Sequence, residues 1–175
     1  MTFQTFKHRV LAIAIFMTAS VSIFAQEATM QSLIGQSLSK IQPSEPETFL
    51  NCIAEMKRID AMFPDRSEPK YQVALQSLNY SVMNPQSKQT ENVMAEAEQI
   101  ISKMEQAGNA DPSDLCTLRG FFYMVRIVQN PAQNGQRYYM DVMENFEKAL
   151  KINPDNQLAK DLQDKFFEGM RQATE

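Results

Sequence analysis

Only one histidine, His8, stands in the 175 residues, and it precedes the apolar run Val10–Phe24. Imidazole is the commonest general base and metal ligand, so a chain that loses its first residues has none to offer a triad or a metal site. Two cysteines, Cys52 and Cys116, are too few for a disulfide framework and alone make a poor zinc site. Cys52 sits beside Ile53, and Cys116 lies between Leu115 and Leu118, so both read as small core residues on helices that do not bridge each other. The twelve Met residues offer two chemistries, an adaptable binding surface or thioether coordination of copper. Met56, Met104 and Met143 fall at core spacing, and no Met-x-x-Met cluster stands clear of the apolar stripes, which argues against the metal. Glu96, Glu98, Glu105, Asp161, Asp164 and Glu168 are spaced as an exposed helix face would space them. An enzyme would need carboxylates converging in a pocket. No Gly-rich phosphate loop, nucleophile elbow or metal-spaced set accompanies them. No catalytic residue, metal or cofactor is expected.

The first 25 residues have the three parts of a secretory signal peptide: basic Lys7 and Arg9, an apolar run of 15 residues, and the small exit residue Ala25. A membrane anchor is the alternative, but a spanning helix needs roughly 20 apolar residues. Cleavage after Ala25 leaves residues 26–175 as one domain, without an integral membrane segment, in the periplasm or secreted. It takes the formal charge from −4 to −6 through the loss of Lys7 and Arg9. An acidic chain has no electrostatic case for nucleic acid.

Few glycines and long stretches of period near 3.6 predict an all-α fold. Helix ends are marked by Phe63-Pro64-Asp65, Asn84-Pro85, Asp111-Pro112, Asn130-Pro131 and Asn153-Pro154. Seven helices are expected, at about 28–41, 46–63, 69–83, 89–107, 113–128, 137–152 and 155–172. Ser44-x-x-Glu47 reads as a capping box for the second, Ser67 as the cap of the third, and Gly108 as the stop of the fourth. Residues 129–135 read as a loop carrying two turn dipeptides. The fifth helix is apolar almost all round and belongs in the middle of the fold. The seventh is amphipathic and suits a terminal cap.

Gly120-x-x-Tyr123 matches the first helix of a tetratricopeptide (TPR) pair, and Val142-x-x-x-Phe146-x-x-Ala149 with Pro154 keeps the spacing of the second, with Val for the first Ala and about ten extra residues between Gly120 and Val142. A more degenerate unit, Met104, Ala107 and Pro112, repeats Phe146, Ala149 and Pro154 at an offset of 42, and the same offset carries Ile100 onto Val142. The chain therefore resembles TPR-like proteins, and its Tyr123, Arg126, Pro131, Gly135 and Tyr138 resemble the pattern of a group exported by Bacteroidota. That resemblance implies a right-handed superhelical array of antiparallel helix pairs, an α-solenoid of about three pairs plus the capping helix. It implies no reaction.

Two functions of different class follow. In one, the array offers a concave surface to a protein or peptide; in the other, it is a structural subunit whose helical edge pairs with a copy of itself, a homo-oligomer. Tyr71, Tyr80, Tyr123 and Arg126 are the candidate partner-binding residues, because aromatic and guanidinium groups dominate binding hot spots. The tyrosines serve equally as groove-filling residues between repeats. Arg126, set in the most apolar helix, must find acceptors, and the carbonyls of the 129–135 loop are the expected ones.

Overall fold

The computed structural model describes residues 26–172, so the expected signal peptide lies outside the described residues. All regular structure among them is helical. The chain divides into two compact units after Ser39. The first holds α1 (residues 26–38), with Met30, Ile34 and Ser37 buried along one side. The second holds α2 (Pro46–Met62), α3 (Glu68–Met83), α4 (Thr90–Ala107), α5 (Pro112–Gln129), α6 (Pro131–Ile152) and α7 (Gln157–Gln172).

Within the second unit each helix packs on the next in sequence, α3 also touches α5, and α5 touches α7. The Lys57–Glu96 ion pair ties α2 to α4. The α5/α6 pair is antiparallel: Ser113 donates to the Ala149 carbonyl, Tyr123 stacks on Tyr138, and Asn134 donates to the Arg126 carbonyl, so partners descend along α6 as they ascend α5. The core includes Leu78, Met94, Ile101, Leu118, Phe121, Phe122, Val142, Phe146 and Phe166.

Local chemistry sets the helix ends. Asp111 accepts from the amides of Ser113 and Asp114, and Pro112 takes the first helical position, where its missing N–H costs nothing. Gly108, at φ 64°, closes α4 in the left-handed conformation that a side chain resists. Two expected caps are corrected. Helix α2 starts at Pro46, which makes Glu45 the cap residue, so Ser44 stands one position too early for a capping box. Thr48 closes that turn instead, accepting from the Gln42 amide at 3.0 Å. Ser67 does precede α3, but in helical conformation and without a capping bond; its hydroxyl donates to the Asn109 carbonyl of the α4–α5 turn.

The expected 129–135 loop is also corrected. A single residue, Asn130, separates α5 from α6; its side chain accepts from the Gln133 amide, and Pro131 opens the helix. Asn-Pro here is a cap followed by a first helical residue, and the pair Asn134-Gly135 lies inside α6.

Helices α2, α4 and α6 end at Met62, Ala107 and Ile152, 45 residues apart each time. At that spacing Phe49, Met94 and Tyr139 correspond, as do Cys52, Ala97 and Val142, then Met56, Ile101 and Phe146, then Ile59, Met104 and Ala149. All twelve are buried except Tyr139, which packs against the core. The offset of 42 is therefore corrected. It paired Ala107 with Ala149, but Ala107 ends its helix in solvent while Ala149 is fully buried. It also paired Pro112, the first residue of α5, with Pro154, which lies in the turn before α7. Cys52 occupies the small-residue position of the series, and neither cysteine is in a disulfide.

At Gly120, α5 and α6 approach closely. A Cβ there would lie 2.8 and 2.9 Å from ring atoms of Phe146 and 3.3 Å from Asn145 Cβ. Asn156, in the turn between α6 and α7, acts as a latch onto α5. Its amide nitrogen lies 2.9 Å from Ser113 Oγ and 3.2 Å from both Thr117 Oγ1 and Asp114 Oδ1, while its oxygen accepts from the Ala159 amide at the start of α7.

Candidate functional site

The four sequence candidates do not converge. Tyr80 is 3% exposed, and its hydroxyl lies 3.0 Å from Ser87 Oγ and 3.4 Å from Gln89 Oε1, where it holds the α3–α4 turn. Its expected role in partner binding is thus corrected: α3 is packed by α2, α4 and α5, which leaves Met83 as its one exposed residue. Tyr71 is half-buried beside the start of α5. Burial first, then the carboxylates of Asp114 and Asp111, push its phenol far above the ordinary range and keep it neutral.

Tyr123 and Arg126 do share a face, the one that α5 turns to α4 and α6. Tyr123 stacks on Tyr138 of α6 with centroids 5.4 Å apart and meets the edge of Phe122 at 5.6 Å. Burial raises its pKa, a rise that Arg119 opposes and that Asp141, Glu98 and Tyr138 add to. Arg126 places Nη1 3.0 and 2.8 Å from the two carboxylate oxygens of Glu91 on α4, with its guanidinium 5.2 Å over the Phe122 ring. The loop-carbonyl role expected for Arg126 is therefore corrected. Residues 131–135 are helical and satisfy their own carbonyls, and the charge finds a carboxylate on the neighbouring helix. Arg119 does the same about two turns earlier along α5, bonding Glu105 and Ser102 of α4.

An open groove of about 660 Å³ lies between α6 and α7, lined by Tyr139, Asp164, Phe167, Glu168, Met170 and Arg171. Sequence reading took its two carboxylates as surface and passed over Phe167. The signal that finds it is the 45-residue spacing. Each lining residue stands 45 positions after one of Met94, Arg119, Phe122, Tyr123, Val125 and Arg126. There Phe122 is 3% exposed beneath its neighbours, whereas Phe167 is 39% exposed.

Among the described residues no group of three or more His, Cys, Asp or Glu could hold a metal ion, and no helix is long and apolar enough to cross a membrane. Comparison with known protein families, curated proteins and solved structures finds no match.

Proposed function

We propose that the chain is an exported, non-catalytic TPR-like module that binds a protein or peptide in the cell envelope. The observation that carries this reading is the 45-residue succession of helix pairs, with matched buried positions on α2, α4 and α6 and a groove left open at its last helix. Stacked pairs of this kind support one another through neighbours only and offer extended surfaces, as repeat arrays do. A right-handed superhelical α-solenoid is the arrangement that such stacking favours. The basic, apolar and small-residue parts of the first 25 residues support export and a start at Gln26.

Capture from the native envelope, with the purified protein as bait, tests the reading. Recovery of one stoichiometric partner supports it. A stable homo-oligomer by light scattering, with no partner recovered, would replace it with the structural-subunit reading.

A further inference from the structure

We propose that Gln26, made the first residue by cleavage after Ala25, closes its α-amine on its own side-chain carboxamide to give pyroglutamate, and that the ring opens α1 as proline opens three later helices. The inference rests on the export reading and adds to it a covalent modification that export alone does not require.

Helix α1 is helical from Gln26 onward, so a chain cut after Ala25 keeps no residue ahead of the helix to cap it. The leading N–H groups of a helix have no partner within it, and together they form the positive end of its dipole. A new α-ammonium would lie at that end, where a positive charge is disfavoured. Glu27, in the same first turn, carries the sign that suits the position. Gln26 itself is exposed, which leaves its side chain room to turn back on the amine.

The step needs nothing that the residue does not carry. The unprotonated amine, about a tenth of the total at pH 7 for an ordinary α-amino group, attacks Cδ of the same residue. A bond forms between the amine nitrogen and Cδ, the bond from Cδ to Nε2 breaks, and Nε2 leaves as ammonia with a proton taken from the amine. No oxidant, water or second substrate enters. Because the positive end of α1 disfavours the ammonium, it favours the attacking form. The product is a five-membered ring through N, Cα, Cβ, Cγ and Cδ, built on the same atoms as the ring of proline. This chain already sets such rings at helix starts: Pro46 opens α2, Pro112 opens α5 and Pro131 opens α6. At a first helical position the N–H has no helical partner to lose, so the ring costs no hydrogen bond there. Cyclisation thus removes the misplaced charge and leaves the Gln26 carbonyl able to accept the first bond of the helix.

The full-length chain is expressed with export, free amines are labelled at lysis so that ring closure during handling is excluded, and the N-terminal peptide is fragmented in a mass spectrometer. The expected peptide starts at residue 26, carries no label on its α-nitrogen and is one ammonia lighter than its sequence. Edman degradation of the intact protein should be blocked and should proceed after pyroglutamyl aminopeptidase removes the first residue. A chain that starts at Gln26 with a labelled amine would overturn the inference and leave export standing, as would a start at another residue beyond the apolar run. An intact Met1 would remove both. Gln26→Met keeps the side-chain length without a carboxamide to attack, so this variant should start at residue 26 with a labelled amine. Its amides at Met30 and Gln31, the first with helical partners, should exchange hydrogen roughly two- to fivefold faster than in the cyclised protein, the size of one charge at a helix end. Equal exchange would overturn the role of the ring in opening α1.

Discussion

Gly120→Ala adds one methyl group at a tight contact between α5 and α6. The new Cβ would sit 2.8 and 2.9 Å from Phe146 ring carbons, where carbon pairs prefer about 3.5–4.0 Å. The ring or the helix must withdraw by about 0.7 Å. Phe146 is fully buried, with its position in the series held by Ile101 and Met56 one and two units before, so it has no void to enter. Overpacking of this kind costs about 1–3 kcal/mol. Against it, Ala gains about 1 kcal/mol over Gly inside a helix. The expected net is a loss of about 1 kcal/mol, read as a fall of roughly 3 °C in the thermal midpoint. Gly135→Ala is the internal control: it lies inside α6 with nothing within 4 Å of a Cβ, and should stabilise by about 0.8–1 kcal/mol. Phe146→Leu shortens the obstructing ring, and in that background Gly120→Ala should cost about 1 kcal/mol less than in wild type. Urea denaturation followed by circular dichroism gives all three values. Equal stabilisation by Gly120→Ala and Gly135→Ala would refute the close crossing and the reasoning built on it.

Asn156→Ala removes a helix cap and a buried bonding group that reaches Ser113, Asp114 and Thr117, so it should cost about 2–3 kcal/mol in urea denaturation; a loss under about 1 kcal/mol would mean the latch does not hold α7. Burial first, then Asp111, raise the Asp114 pKa, so its contribution is present below the unfolded carboxyl value and is lost as pH rises through the folded one. Asp114→Asn should therefore gain stability relative to wild type at pH 7 but not at pH 3, and a pH-independent difference would count against this. Arg126→Met breaks a partly exposed pair with Glu91 and should cost about 1 kcal/mol without opening residues 130–136 to protease; first cleavage there would restore the loop reading. Mass spectrometry of the exported protein should show a start at Gln26, and an intact Met1 would defeat the export argument.

Helix number and most helix ends were legible because Pro, Gly and Asp act locally: Gly108 stops α4, and Asp111-Pro112 starts α5, by chemistry confined to one turn. Asn130-Pro131 misled because the same dipeptide serves a turn and a cap with its first helical residue; which one applies depends on whether α6 can continue on α5. The repeat register misled for a related reason. Residue identity paired Ala107 with Ala149, whereas burial pairs Met104 with Ala149 and Ile101 with Phe146. Exchange of Met for Ala or Ile for Phe at one packing position is ordinary in a core that conserves fit rather than letters. Burial of Tyr80 and the Arg126–Glu91 pair depend on contacts between helices, which spacing along one helix does not carry.

The same register makes sense of the candidate site. An interior groove is filled once by its own chain, so its rim is selected for a fixed neighbour: Arg119 and Arg126 bond α4, and Tyr123 stacks on α6. At the last helix, Asp164 and Glu168 stand where Arg119 and Tyr123 stood, and Lys165 blocks the close crossing that Gly120 permits. A face of α7 turned only to water would be expected to be polar throughout. Gln163 in place of Leu118 follows that expectation, and Phe167 and Met170 do not. An exposed aromatic at the centre of a charged rim has the anatomy of a small recognition patch, apolar within and polar at its edge. The departure from a solvated face is confined to the half of α7 where the groove opens.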